Sequence, residues 1–386
     1  MKKLIKKIIS FIFFPLKFLP LKKEFIVIQS FSPNIYSDNS RFLYEYLSKK
    51  KNIKIFWYTQ NSLIKNYLEF KNLKFINNKN ILKTIWVTLK TKIVIDTGSS
   101  YFNFLNLLSN NAIKICLGHG AGLKLLKFKY ISTGKYETYK KFNYVNFTSD
   151  FTVKYLAKKN YGLEDSKIIK FGYPRIENLK IKNKSKTMLR YLVGNKYKSK
   201  KILYYTPTWR PYNYNLPILN LKNFNLKKFN LFLKKNNYLF FYTINTANAP
   251  SKSESKKLEN IIYIDRDKKP LFDTTSFLKE IDILINDCAT TTTEFSLLNK
   301  PQIHVFPDLK KYETKVGFLI NYKKNKAGPL CKDFFTLKKE ILKYSNFKNK
   351  YIKKYKLINK RNINNFYDMY KKDSNLLFYK FLKKIL

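Results

Sequence analysis

From Phe25 onward, short apolar runs alternate with longer polar or amphipathic stretches. The runs Phe25–Ser30 (FIVIQS), Ile53–Tyr58 (IKIFWY), Ile93–Asp96 (IVID), Ile113–Leu117 (IKICL) and Asn143–Thr148 (NYVNFT) have strand length and are rich in β-branched and aromatic residues. Between them, Ser40–Lys50 and Ile81–Thr91 carry helical spacing. Apolar strands alternating with helices predict a parallel sheet covered on both faces. After the Lys-rich stretch Lys180–Lys201 the alternation restarts, with predicted strands at Lys201–Tyr205, Tyr238–Ile244, Ile261–Ile264, Ile281–Ile285 and Gln302–Phe306. From Phe335 to Leu386 the pattern is helical and strongly basic.

A chain of 386 residues is long enough for two domains of roughly 150 residues each. The pattern divides it into a basic amphipathic segment (1–24), a first α/β half (25–180), a charged linker (181–200), a second α/β half (201–340) and a helical C-terminal extension (341–386). In the first segment, basic residues flank an apolar run from Ile8 to Leu16 that Pro15 interrupts. That run is shorter than the roughly 20 apolar residues of a membrane-crossing helix, and no small-residue cleavage site follows it. Phe, Leu and Ile interleaved with Lys suit a segment lying in the headgroup region of an anionic membrane. The alternative is a first helix packed on the body of the protein.

Charge adds a class of partner. With 77 Lys and Arg against 25 Asp and Glu the net charge is +52, which predicts attraction to nucleic acid, anionic lipid or nucleotide-activated substrates. Lys, Asn, Ile, Phe and Tyr all have AT-rich codons, so genome bias offers a blander source for the same excess. A nucleic-acid binder with stacking aromatics is weakened by the fact that most aromatics fall inside the apolar strands, where they serve a core. The three cysteines (Cys116, Cys288 and Cys331) are far apart and only two histidines occur, which supports neither a zinc site nor a disulfide framework and fits a reduced, cytoplasmic chain. Neither G-x-G-x-x-G nor G-x-x-x-x-G-K-[ST] is present, which argues against an ordinary dehydrogenase or P-loop ATPase.

Four motifs carry the candidate chemistry. Gly118-His119-Gly120-Ala121-Gly122-Leu123-Lys124 follows a predicted strand, and three glycines in five positions mark a turn that something approaches closely. A histidine at the carboxyl edge of a parallel sheet sits where α/β proteins bind ligands, and it can take a proton from an attacking hydroxyl. Gly172-Tyr173-Pro174-Arg175 and Thr206-Pro207-Thr208-Trp209-Arg210 each place an arginine after a Pro-fixed turn. Either arginine suits bidentate contact with phosphate or an interdomain salt bridge. In Asn286-Asp287-Cys288-Ala289-Thr290-Thr291-Thr292-Thr293-Glu294, a strand ends in an acid and a threonine cluster opens a helix. That is either an anion site or a capping cluster without a ligand, and Glu294 one turn on is a candidate for a ribose or base hydroxyl.

These motifs, with Pro307–Phe318 (PDLKKYETKVGF), resemble in this order the CDP-glycerol:poly(glycerophosphate) glycerophosphotransferase family of teichoic acid synthesis. The likeness runs roughly from Phe25 to Ile341, against family patterns W-H-G-T-P-L-K, T-G-Y-P-R, A-P-T-W-R and I-T-D-Y-S-S; Ala327-Gly328-Pro329 stands where the family has Pro-Gly-Pro. It implies a GT-B-like α/β enzyme, two Rossmann-type domains facing across a cleft, peripheral on the cytoplasmic face of the membrane. Such an enzyme transfers a polyol phosphate from a CDP-polyol to a hydroxyl of a lipid-linked glycan or polyol-phosphate acceptor, with no cofactor and no active-site metal. The resemblance makes His119 the catalytic base, with Gly118, Gly120 and Lys124 shaping its loop. It gives Arg210, Thr208, Asn245, Asp287, Thr290, Thr291, Thr292 and Glu294 to the donor-binding half, leaving Arg175 between the interdomain and phosphate roles.

Three departures bear on that assignment. Cys288-Ala289 replaces Tyr-Ser, Ala121-Gly122 replaces Thr-Pro, and Asn245 stands where the family has a second histidine. Asparagine can hydrogen-bond a phosphate but cannot carry its proton. The other histidine, His304, falls in an apolar strand and reads as core. The alternatives are a GT-B glycosyltransferase using a nucleotide sugar, or an inactive relative serving as a membrane scaffold.

Overall fold

The computed structural model describes residues 21–77, 79–98, 111–123, 139–181, 186–212, 216–244 and 258–386. Lys124, Asn245 and most of the N-terminal segment lie outside these residues. The first half is a seven-stranded sheet, β1 (Phe25–Ile28), β2 (Lys54–Tyr58), β3 (Phe75–Ile76), β4 (Thr91–Asp96), β5 (Ile113–Cys116), β6 (Tyr144–Phe147) and β7 (Ile168–Lys170), in the spatial order β3-β2-β1-β4-β5-β6-β7. Every pairing is parallel. Parallel strands need crossovers, and helices α1 (Asp38–Leu47), α2 (Ser62–Phe70) and α3 (Ile81–Leu89) supply some of them, while α4 (Pro174–Lys180) follows the last strand. Ile26, Ile28, Ile93, Ile95 and Ile115 pack on the Leu43 and Leu47 face of α1, whereas Val27 and Val94 pack on Val87 of α3, so both faces of the sheet are buried.

The second half repeats the plan. Helix α5 (Thr187–Val193) precedes β8 (Lys201–Tyr205), α6 (Leu226–Lys235), β9 (Tyr238–Tyr242), β10 (Ile261–Tyr263), α7 (Thr274–Glu280), β11 (Ile283–Asn286), α8 (Thr290–Ser296), β12 (Gln302–Val305), α9 (Leu309–Lys315) and β13 (Leu330–Cys331). The order β10-β9-β8-β11-β12-β13 is again wholly parallel. In both sheets the order reverses beside the first strand, between β1 and β4 and between β8 and β11, the position where doubly wound sheets open a crevice.

Two boundaries differ from the sequence reading. The stretch taken as a linker holds α5, because Met188 and Leu189 are apolar at helical spacing and join the second core with Tyr204 and Phe277. The cut at 340/341 falls inside α10 (Phe334–Asn346), and the tail continues as α11 (Lys348–Phe366) and α12 (Ser374–Ile385). It is no appendage. Leu337, Ile341, Tyr351 and Tyr355 complete the second core, while Phe378 and Leu382 of α12 are buried in the first core beside α1. The tail thus straps the second half back onto the first.

Candidate active site

The histidine loop follows β5. Gly118 has a φ of +75°, and a Cβ there would lie 3.0 Å from both the Asn146 carbonyl and the Tyr173 hydroxyl, so only glycine fits. Asn39 of α1 fixes the same turn by donating through Nδ2 to the Gly118 carbonyl at 2.8 Å. A Cβ on Gly120 would meet Thr290 Oγ1 at 2.6 Å, which shows how closely the loop is laid on the start of α8 in the other half. Thr293 Oγ1 donates to the Ala121 carbonyl at 2.7 Å and ties the two halves together there.

His119 is the exposed member of this loop, with 61% of its side chain open to solvent. Its Nδ1 lies 2.6 Å from Asp38 Oδ2. Asp38 opens α1, is buried, and adopts a φ of +68°, a backbone region that costs energy for any residue but glycine. Further contacts hold it: its N–H donates to Asp273 Oδ2 at 3.1 Å, and its Oδ1 accepts the Asn39 N–H at 2.7 Å and pairs with Arg175. Burial by itself would raise the Asp38 carboxyl; Arg175 and His119 outweigh it and hold the group well below the ordinary carboxylate range. An ionised carboxylate only accepts, so in the neutral imidazole Nδ1 carries the hydrogen and Nε2 the lone pair.

Arg175 is buried, and its Nη2 and Nε reach Glu294 of α8. Asp38 and Arg175 belong to the first half and Glu294 to the second, so the guanidinium bridges the halves. Of the two roles open to Arg175, the interdomain one is built; no open face is left for phosphate. Glu294 is likewise buried, between Arg175 and the Thr275 hydroxyl, 3.4 Å away.

The second crevice is closed by a different cluster. Asp287, at the end of β11, accepts the N–H groups of Thr208, Cys288 and Ala289 at 2.6 to 3.0 Å and pairs with Arg210. Arg210 also pairs with Asp308 at 2.9 Å, and only 2% of its side chain is exposed. Among the described residues Arg210, Asp287 and the Thr208 N–H are thus paired with one another. They shape the turn that presents α8, whose Thr291 and Thr292 hydroxyls are buried without a partner among the described residues. Thr290 faces Gly120 and Gly122 at the junction of the halves.

His304 is core, as its apolar strand predicts. It is fully buried in β12, with Nδ1 2.9 Å from the Asp287 carbonyl and 3.0 Å from the Tyr322 hydroxyl. Asp38 was missed by the sequence reading; its only signal was an acid in Ser37-Asp38-Asn39-Ser40 just beyond the first strand. No group of three His, Cys, Asp or Glu suited to a metal occurs among the described residues.

Two doubly wound parallel halves, meeting where the loop that carries an exposed, carboxylate-held imidazole lies against a helix start of the other half, define a GT-B-like transferase. The sequence model of the CDP-glycerol:poly(glycerophosphate) glycerophosphotransferase family matches residues 11–372, and the chain belongs to that family. It is 26% identical over 280 residues to the teichoic acid glycerol-phosphate primase of Bacillus subtilis strain 168, spanning 69% of this chain and 68% of that protein. It is 26% identical over 399 residues to the teichoic acid poly(glycerol phosphate) polymerase of Bacillus spizizenii, with 96% and 93% covered. The structure of the wall teichoic acid polymerase TagF superposes with a TM-score of 0.71 at 19% identity, covering 100% of this chain and 99% of that one, a likeness of fold.

Proposed function

We propose that the protein transfers glycerol phosphate, or a closely related polyol phosphate, from a CDP-polyol to a hydroxyl of a growing cell-surface polymer, releasing CMP. The observation that carries this reading is the exposed His119 imidazole fixed through Nδ1 by buried Asp38. Its Nε2 takes the proton of the acceptor hydroxyl as that oxygen attacks the β-phosphorus of the donor. The new P–O bond forms as the bond between the β-phosphorus and the bridging oxygen of CMP breaks, and CMP leaves with the electron pair. Positioning of the base and stabilisation of phosphoryl charge are what such a transfer asks of a protein. Thr290, Thr291 and Thr292 open α8, with Thr290 laid against the histidine loop, and are proposed to receive the donor phosphates. One structure of TagF is of a histidine-to-asparagine variant soaked with CDPG, which supports a CDP-linked donor for the fold.

The acceptor is proposed to be lipid-linked, with the protein held at an anionic membrane surface by its basic charge. No helix among the described residues is long and apolar enough to cross a membrane. The deciding experiment follows CMP release from CDP-glycerol and CDP-ribitol with a lipid-linked acceptor on anionic vesicles. Wild-type protein is expected to release CMP, and His119→Ala to lower the rate by about 10²- to 10⁴-fold with an unchanged melting temperature. Full release by a folded His119→Ala protein would remove the assigned base, and release only from nucleotide sugars would replace the donor.

A further inference from the structure

Arg266 lies just beyond β10 in the second half, yet its side chain rests on the first. The guanidinium carbon stands 5.1 Å from the centroid of the Phe31 ring, and Nη2 donates to Ser37 Oγ at 3.3 Å. Phe31 in turn meets the His119 imidazole edge-on, with centroids 5.3 Å apart. Arg266, Phe31 and His119 therefore form one continuous run of contacts across the junction of the halves. Arg41, Arg175 and Arg210 are each neutralised by an acid. Arg266 forms no ion pair among the described residues, and its Nε is buried without a hydrogen-bond partner among them. The acid at this end of α1, Asp38, is already taken by Arg175 and His119. Ser37, the N-cap of α1, spends its hydroxyl on no helix N–H.

A half-buried guanidinium with an unfilled donor, one ring away from a general base and unmatched by a carboxylate among the described residues, is suited to an anion from outside the chain. We infer that Arg266 binds a phosphate group of a substrate lying next to His119, and that it joins that phosphate to the first half only when the two halves are apposed. The inference rests on the transfer reading, in which both candidate sources are phosphate-bearing: the donor pyrophosphate and a phosphodiester of the acceptor. Arginine fits either, because its planar fork matches phosphate oxygens in pairs.

The test uses the full chain as wild type, Arg266→Gln and Arg266→Lys. CMP release is measured against CDP-glycerol concentration, and against two synthetic lipid acceptors, one ending in glycerol phosphate and one in a neutral sugar. Loss of a charge-assisted hydrogen bond raises KM for the phosphate-bearing partner by about ten- to a hundredfold. Arg266→Lys recovers part of this, and the melting temperature stays put. A KM increase for CDP-glycerol assigns the phosphate to the donor; an increase confined to the glycerol-phosphate acceptor assigns it to the acceptor. Unchanged KM for both substrates in Arg266→Gln overturns the inference and leaves Arg266 as a packing contact between the halves. Calorimetric titration of wild type and Arg266→Gln with CDP-glycerol, and separately with a soluble glycerol-phosphate oligomer, keeps the question independent of turnover. Weaker binding of either by the variant sustains the inference even if wild type releases no CMP; equal binding of both overturns it even if catalysis is intact.

Discussion

Both sheets reverse strand order beside their first strand, and beside each reversal a buried aspartate stands at or just before the start of a helix, paired with a buried arginine. The two aspartates have opposite surroundings. Asp287 gives its acceptor capacity to three N–H groups of neighbouring turns and to Arg210, and nothing around it is open. Asp38 gives one oxygen to Arg175 and the Asn39 N–H and the other to an imidazole that is largely in solvent, and does so from a left-handed backbone position. A carboxylate whose partners are all buried holds a turn in place. One whose last partner is exposed passes its charge to a group that can meet a substrate. The comparison also separates the arginines: Arg210 works within one half, whereas Arg175 links Asp38 to Glu294 across the junction, so the orientation of His119 depends on how the halves meet.

The comparison is sharpest in the response to removing each carboxylate. Asp38→Asn keeps the shape but places an amide opposite Nδ1, so the imidazole no longer has a fixed tautomer. By analogy with the orienting aspartate of a serine-protease triad, the rate of CMP release is expected to fall by up to about 10⁴-fold, with a change in its pH profile that a purely structural role would not produce. Equal activity of Asp38→Asn and wild type would erase the distinction between the two crevices. Asp287→Ala has the smaller but more global effect. It leaves Arg210 buried beside Asp308 alone and frees three N–H groups, for an expected loss of about 3–5 kcal/mol in unfolding free energy by urea titration. Activity of the remaining folded protein should then follow the folded fraction.

Much of the fold is legible in the sequence because strands buried on both faces must be apolar at nearly every position, as FIVI, KILYY and YLFFY are. The strands that escape notice are β3, β7 and β13, of two or three residues each, too short to show a period. The histidine loop is legible for a different reason: glycine is rare in this chain, so a cluster of it signals close approach, and Gly120 against Thr290 is that approach. What sequence reasoning misplaces is the state of the polar residues. Arg210, Asp287 and Glu294 carry the right chemistry for ligands, but whether they are free depends on partners 77, 98 and 119 residues away. Asp38 was invisible for the same reason, since its partners His119 and Arg175 lie 81 and 137 residues away.

The smallest effect concerns His304, whose Nδ1 hydrogen goes to the carbonyl of Asp287 and which therefore belongs to the closed crevice. Burial drives its imidazole down to about 3, so the native protein keeps it neutral where an unfolded chain, at about 6.5, takes up a proton. Because the unfolded state binds more protons between these values, acidification from pH 6.5 toward 3 removes stability, and above pH 6.5 this residue contributes no slope. The loss approaches about 1.4 kcal/mol per pH unit once the unfolded imidazole is mostly protonated. Carboxylates also titrate in this range, so the quantity to measure is the difference between wild type and His304→Gln, in urea unfolding at pH 7.5, 6 and 5. The gap should shrink as the pH falls, since the variant cannot gain that proton when it unfolds. A gap constant across the three values would mean that His304 exchanges protons with solvent, and the second crevice would then be as open as the first.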